Sequence, residues 1–452
     1  MDRRLRPFFD GCLLLALLGG VLIGLYGWFQ IGDAPAWGRA LLVLGLVAAG
    51  GASLAFLLPA MWRANLVLVG CASVIGLFGV SAVLAVWFPL STLADLDERR
   101  LAAARQEGIA YDTRRMREVV DDLRSAGVHA YPVVSPAVLP AGGEAAAMPL
   151  FPLAGLSNVP TVVCNESGRY LIVENDRYGF NNPDRVHDGP SPVLLLGDSF
   201  AFGYCVPPED NLAGRLRARG FDLVDLGYPG TGPLVQLAQL REYGPPVSPR
   251  VVIWLFYAGN DLRNLREEIA REHLRRYLAP GYSQGLARRQ SEIDRYLASF
   301  VEQARGRRAA LQPSTLHEIV TLAPLRHRLG LTRGGQEDML DLFAEVAERI
   351  RAEADALGAR LCFVYLPTYT NFLGSDYGDR DQVLEVVRAL GVPVLDFTAT
   401  LRATGDPLAF YPFRLHGHFN AKGYRLLAER LAEEFLIPEA LQVGGRVPGD
   451  RD

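Results

Sequence analysis

The sequence predicts an α/β protein: a three-layer α/β/α parallel sheet behind an N-terminal bundle of three membrane-spanning helices. Three observations predict it. The first ninety residues hold three long apolar runs without a charge. From Pro192 onward, short β-rich apolar runs alternate with amphipathic helical stretches. Small polar motifs then stand where several of those runs end, which is where parallel sheets gather their chemistry.

The apolar runs cover residues 11–29, 40–62 and 66–88. Each is long enough to cross roughly 30 Å of hydrocarbon as a helix, which takes about 20 residues. Of the five tryptophans, Trp28, Trp37, Trp62 and Trp87 fall at or near the ends of these runs, where an interfacial belt places them. Three buried helices of a soluble protein are the plain alternative, but such helices seldom follow one another without a polar stripe. A cleavable leader does not fit, because the first run is too long and two more follow it. Arg3, Arg4, Arg6 and Arg63 would share the cytoplasmic side, against Arg39, Arg99, Arg100 and Arg105 on the other. That bias is nearly even. The expectation is an integral protein of a bacterial inner membrane with everything after residue 88 outside the cytoplasm.

A length of 452 residues asks for more than one folded unit. The net charge of −4 offers no basic face to a nucleic acid, so none is expected as a partner. Mean hydropathy is +0.12 although 21% of residues are charged, the excess coming from the first ninety. The expected organisation is a transmembrane region at 1–90, a juxtamembrane stalk and linker at 91–160, an α/β domain at 161–440 and a tail at 441–452. Strands are expected at 193–196, 221–226, 250–257, 360–366 and 392–397. Helices are expected between them and at 421–435, with a charged helical insertion at 262–335 read as a solvated cap.

Five cysteines divide between the two regions. Cys12 and Cys71 belong to the apolar runs, and Cys362 sits in a core-like strand. Cys164 opens "CNESGRYLIVENDRYGFNN", and Cys205 lies six residues after Ser199. A Cys164–Cys205 disulfide would suit an oxidising compartment. Three unrelated thiols remain open, since spacing does not set connectivity. Asn165 begins a glycosylation sequon, a pattern too common to carry weight.

Three features stand where chemistry is expected. "VLLLGDSF" ends an apolar strand in Gly197-Asp198-Ser199. "VVIWLFYAGNDL" ends another in Gly259-Asn260-Asp261. "HGHFNAKGYRLL" puts His418 just before a helix that Asn420 can cap. Taken alone, Ser199 reads more readily as a helix cap. Between the first two, "VDLGYPGTG" brings Gly230 after a further strand.

In these blocks, over residues 170–437, the chain resembles the SGNH (GDSL-type) hydrolase superfamily. Gly197–Ser199, Gly230 and His418 with Asn420 and Gly423 match three of its four blocks in order, and Ala258-Gly259-Asn260-Asp261 is a near match to the remaining one, with its first Gly replaced by Ala. The resemblance implies a flavodoxin-like sheet and a Ser199 nucleophile activated by His418. It implies an oxyanion hole from the Ser199 and Gly230 backbone N–H groups and the Asn260 side chain, with Asp198 supporting the nucleophile turn. A serine hydroxyl needs a base to become nucleophilic, histidine titrates near neutrality, and each oxyanion donor is worth about 3 kcal/mol.

The family's aspartate two or three residues before the histidine is missing, replaced by His416 and Leu415. Asp396 or Asp261 reaching in, a Ser–His dyad oriented by a backbone carbonyl, or lost activity are the openings this leaves. No cofactor is implied, and the His416-Gly417-His418 triplet lacks the spacing of a zinc site. The expected function is a membrane-anchored serine esterase or deacylase acting on acylated envelope polysaccharide or lipid. A polysaccharide O-acyltransferase using the same acyl-enzyme, or a non-catalytic polysaccharide assembly protein, are the alternatives. The sequence sets no oligomeric state.

Overall fold

The structure is a computed structural model, and it describes residues 6–30, 35–87, 93–140, 150–306, 322, 336–374 and 379–437. The chain forms two compact units. One comprises Met1–Leu90 with Leu311–Gly334, and the other Ser91–Ala310 with Gly335–Asp452.

In the first unit, helices α1 (Arg6–Gln30), α2 (Pro35–Ala55) and α3 (Ala60–Trp87) succeed one another. Two stretches are long and apolar enough to cross a membrane, Arg6–Tyr26 and Ala60–Leu84. The second expected span is not clearly a third, because its described apolar stretch is only Leu42–Ala55. Pro59, which lacks the N–H that a helix interior uses, stands between α2 and α3, and Ala60–Trp62 open α3 instead. Arg63, expected in the turn, therefore lies on α3, where its Nη1 meets Asp10 of α1 at 2.7 Å. Most apolar side chains of α1 and α3 face outward, Leu15 and Ile75 being 70% and 72% exposed.

The second unit begins with α4 (Leu93–Gln106) and α5 (Met116–Ser125), then a small sheet of β1 (Tyr131–Pro132), β2 (Pro160–Cys164) and β3 (Leu171–Glu174). β1 pairs with β2 in parallel and β2 with β3 antiparallel. Val119 and Val120 of α5 pack on Val162 of β2. Residues 91–160 therefore differ from the expected stalk and linker. Their amphipathic helices and short strands bury apolar side chains, so their described part belongs to the same compact unit as the α/β domain.

The main sheet has five parallel strands: β4 (Val193–Leu196), β5 (Leu223–Asp225), β6 (Val251–Tyr257), β7 (Arg360–Leu366) and β8 (Val394–Asp396), in the order β5-β4-β6-β7-β8. This is the flavodoxin-like order, with its switch point between β4 and β6. Register is direct, Leu194 lying opposite Val224 on one side and Val252 on the other. Strand side chains alternate between two cores, as a sheet covered on both faces requires. Leu194, Trp254 and Phe363 enter one core; Leu195, Ile253 and Val364 enter the other.

Helices fill both outer layers: α6 (Ser199–Phe202), α7 (Leu212–Ala218), α8 (Pro233–Val247), α9 (Asp261–Ile269), α10 (Glu272–Arg275), α11 (Gln290–Gly306), α12 (Gln336–Ala356), α13 (Arg380–Ala389), α14 (Phe397–Ala403) and α15 (Ala421–Leu431). The insertion differs from a solvated cap over its described part. Leu265, Leu274, Leu286, Ile293 and Leu297 join the first core, because the apolar faces of α9–α11 have a sheet-covering layer to enter. Apart from residue 322, the rest of the insertion lies outside the described residues, as does the tail at 441–452.

Candidate active site

The four buried side chains of β4 fix the strand, and the chain turns polar where it leaves the sheet. Asp198 caps α6, its Oδ1 accepting the Phe200 N–H at 2.9 Å. Ser199 is thus the first residue of a short helix standing on the carboxyl end of β4. At the far end of the chain, Asn420 caps α15 by accepting the Lys422 and Gly423 N–H groups. That cap fixes the direction in which His418 leaves the helix. The two elements meet: Ser199 Oγ lies 2.7 Å from His418 Nε2. The rings of Phe200 and Tyr204 pack against the imidazole, with centroids 4.8 and 4.7 Å away.

The other ring nitrogen faces a residue that the sequence reading passed over. Glu166 Oε1 lies 3.1 Å from His418 Nδ1, and its Oε2 accepts the His418 backbone N–H at 2.8 Å. A carboxylate there holds a proton on Nδ1 and leaves Nε2 free to accept from Ser199 Oγ. Burial alone would raise the Glu166 pKa. The charge and hydrogen bonds of His418 and the nearby Arg100 outweigh it and bring the carboxyl down to about 2.

Glu166 is presented by the turn between β2 and β3. Asn165 holds that turn, accepting from the Gly168 N–H and donating to the Asp112 carbonyl. Two residues before Glu166, Cys164 is bonded to Cys205 of the nucleophile loop, with a Cα–Cα distance of 5.5 Å. Asp396 and Asp261, the carboxylates considered for this position, are engaged elsewhere. Asp396 binds Arg380 and caps α14 through the Thr398 N–H, and Asp261 accepts the Tyr257 N–H. A signal for Glu166 existed in the sequence: a disulfide between the flanks of both segments brings a carboxylate two residues from Cys164 beside Ser199.

Gly417 explains how a carboxylate from outside the histidine loop fits. A Cβ there would sit 2.7 Å from Glu166 Oε2 and 2.9 Å from Arg100 Nη2. His416 is exposed, with its ring edge-on to Tyr369, and the desolvation of its inner side pushes its pKa down.

Asp198, Asn260 and Asp261 gather behind the nucleophile. Asn260 Nδ2 donates to Asp198 Oδ2 at 3.1 Å, and Ser199 Oγ lies 3.4 Å from the same oxygen. Burial raises the pKa of both aspartates, and for Asp261 the Asp198 charge adds to it. One of the two Asn260 amide hydrogens is thereby used on Asp198. The loop after β5 reaches under the same turn. Tyr228 N–H and Thr231 Oγ1 both donate to the Gly197 carbonyl at 3.2 Å. Gly230 stands in that loop at φ +73°, a left-handed conformation, with Ser135 so near that a Cβ would clash. Asp225, at the end of β5, accepts the Gly227 N–H, and burial pushes its pKa up to about 8.

A polar end on each of β4, β5 and β6, at the switch point of a flavodoxin-like sheet, with serine, imidazole and carboxylate in series, defines an SGNH-type α/β fold. The chain belongs to the GDSL-like lipase/acylhydrolase family, whose model matches residues 195–426, just over half of its length. It is a member of the SGNH hydrolase superfamily, a group of ester-hydrolysing enzymes. No curated protein matches the chain. Among solved structures, one similar chain is a protein described as lipolytic, of the G-D-S-L family, from Desulfitobacterium hafniense DCB-2. It is 13% identical with a TM-score of 0.32, over 54% of this chain and 98% of that one.

Proposed function

We propose that this protein is a membrane-anchored serine esterase or deacylase in which Ser199, His418 and Glu166 act in series. Ser199 Oγ attacks an ester carbonyl as its proton passes to His418 Nε2. The alcohol leaves with that proton, and water, deprotonated by the same imidazole, releases the acid and restores Ser199. Glu166 orients the ring and stabilises the imidazolium. The Ser199 and Gly230 N–H groups and Asn260 Nδ2 receive the oxyanion, Asn260 by swinging its second hydrogen toward it. The observation that carries this reading is the 2.7 Å contact between Ser199 Oγ and His418 Nε2 with a buried carboxylate on Nδ1. The missing aspartate near His418 was the main support for a non-catalytic protein, and Glu166 supplies a carboxylate in its place.

The two apolar helices and their outward-facing side chains support membrane attachment. The Cys164–Cys205 pairing supports an oxidising compartment outside the cytoplasm. An acylated polysaccharide or lipid of the envelope is the substrate class that such a location offers. Reaction of the full chain with a fluorophosphonate probe tests the chemistry. A mass adduct on Ser199 is expected, and equal ester turnover by Ser199→Ala overturns the reading. Incubation with an acyl donor and a glycan separates the acceptors: free acid marks hydrolysis, and acylated glycan marks transfer.

A further inference from the structure

We propose that Arg100, on the first helix of the second unit, is a positioning residue of this centre, holding Glu166 ionised and aimed at His418. This rests on the Ser–His–Glu reading above and adds to it a residue that none of the family's motifs contains.

Arg100 lies on α4, yet it is only 6% exposed. Its Nη2 stands 3.1 Å from Glu166 Oε1, the same oxygen that faces His418 Nδ1. The same nitrogen donates to the His416 carbonyl at 2.9 Å, and Nη1 reaches Asp97 Oδ1 at 3.4 Å. One guanidinium therefore ties α4 to both the Glu166 turn and the histidine loop. A planar donor group fixes such a geometry in a way that a flexible ammonium does not.

The charge balance shows why a permanent cation is needed there. The charge and hydrogen bonds of His418 lower the Glu166 pKa more than Arg100 does, but His418 must be neutral when it acts as the base, and it then gives Glu166 a hydrogen bond without a charge. A buried carboxylate with no cation beside it tends to take up a proton, and a neutral acid no longer stabilises an imidazolium. Among the described residues, Arg100 is the only arginine or lysine within ion-pair distance of Glu166. Arginine stays protonated at any working pH. It keeps Glu166 anionic before His418 takes the Ser199 proton, and its bond to the His416 carbonyl holds the backbone that carries the imidazole.

The neighbourhood also allows a direct test. Arg100 and Glu166 line a cavity of about 450 Å³ together with Tyr111, Asp112, Tyr170 and Tyr204. That is room for a guanidinium ion to replace a deleted arginine head group.

The experiment uses the full chain in detergent and a p-nitrophenyl ester. Arg100→Ala is expected to lower kcat by about 10- to 100-fold with KM within about twofold, the pattern of a group acting in the transition state. Guanidinium at tens of millimolar is expected to restore part of that loss, and to do nothing for Glu166→Gln. Arg100→Lys is expected to fall between the wild type and Arg100→Ala. A kcat for Arg100→Ala within about twofold of the wild type overturns the proposal, and so does a loss that guanidinium leaves unchanged. Should Arg100→Ala not fold, Arg100→Lys decides: a kcat lowered by at least about threefold with KM unchanged supports the proposal, and a kcat within about twofold of the wild type overturns it. Fluorophosphonate labelling of the wild type runs alongside. An unlabelled wild type brings down the esterase reading itself, whereas a labelled wild type with unaffected Arg100 variants brings down only this inference.

Discussion

Glu166 embraces His418 from two directions: one carboxylate oxygen faces Nδ1 at 3.1 Å, and the other accepts the histidine's own backbone N–H at 2.8 Å. The two residues are 252 positions apart. This double contact fixes both the rotation of the ring and the position of its Cα. The carboxylate thus stands against Nδ1, the ring nitrogen that a nearby aspartate would face where the histidine loop carries one.

Replacing Glu166 by Gln is expected to keep the shape and remove the charge. In a serine–histidine–carboxylate series such a change costs about 10⁴-fold in kcat, because the wrong tautomer of histidine faces the serine. The expected result is a kcat lower by about 10³- to 10⁴-fold with KM little changed, read from steady-state turnover of a soluble ester. Turnover within tenfold of the wild type would show that His418 is oriented by something else.

The same carboxylate makes stability depend on pH. The Glu166 pKa falls from 4.5 to about 2: burial opposes the fall, and the charge and hydrogen bonds of His418, with Arg100, outweigh it. A group whose pKa is depressed in the folded state contributes stability that is present above its unfolded value and is lost as pH falls through the folded one. The contribution should be complete above about pH 4.5 and fade as the pH falls toward 2. Denaturant melts of the wild type and Glu166→Gln should therefore differ near neutrality and converge as the pH approaches 2.

The Cys164–Cys205 bond joins the flank of Glu166 to the loop just past Ser199. Closing a loop of this length is worth about 4 kcal/mol through the entropy of the unfolded chain. Reduction, or a Cys164→Ser and Cys205→Ser double variant, is expected to lower the melting temperature by several degrees. Below that temperature it should also lower kcat, since the Glu166 turn loses a tether. A reduced protein as active as the oxidised one would assign the bond to stability alone.

Asn260 tests the oxyanion site separately. Asn260→Ala is expected to lower kcat by about 10²- to 10³-fold, the usual loss for one such donor. Its fluorophosphonate adduct should still form at Ser199, more slowly. Unchanged kcat would leave the Asn260 amide only the role of holding Asp198.

Gly417→Ala probes how closely the three groups meet. The added methyl would press on Glu166 Oε2 and Arg100 Nη2, the ends of two pinned side chains. A modest stability cost of about 1 kcal/mol with at least tenfold lower kcat is expected, measured by melting and turnover on the same preparation. A loss of stability without a loss of turnover would count against the close fit.

Much of this architecture is written locally in the chain. The runs at 193–196, 251–257 and 361–366 are β-rich and continuously apolar because both faces of those strands are covered, and they lie in β4, β6 and β7. Gly197-Asp198-Ser199, Asn260 and His418 stand at element ends, where caps and turns leave signatures within a few residues. Two readings are met only in part, for local reasons as well. Pro59 stands between α2 and α3, and residues 91–160 looked like a linker because their strands are too short to show periodicity.

By itself the sequence determined the parallel sheet, its apolar N-terminal helices and the serine–histidine pair, since each rests on a pattern spanning a few turns or one strand. Only the tertiary structure decided which carboxylate serves His418. Glu166 comes from a different sheet, is fixed beside Ser199 by the Cys164–Cys205 bond, and is pinned by Arg100 from a helix outside the family's motifs. A contact between segments so far apart leaves no periodic trace in the chain. It exists because a buried carboxylate must find its cation and its donors wherever the fold brings them together.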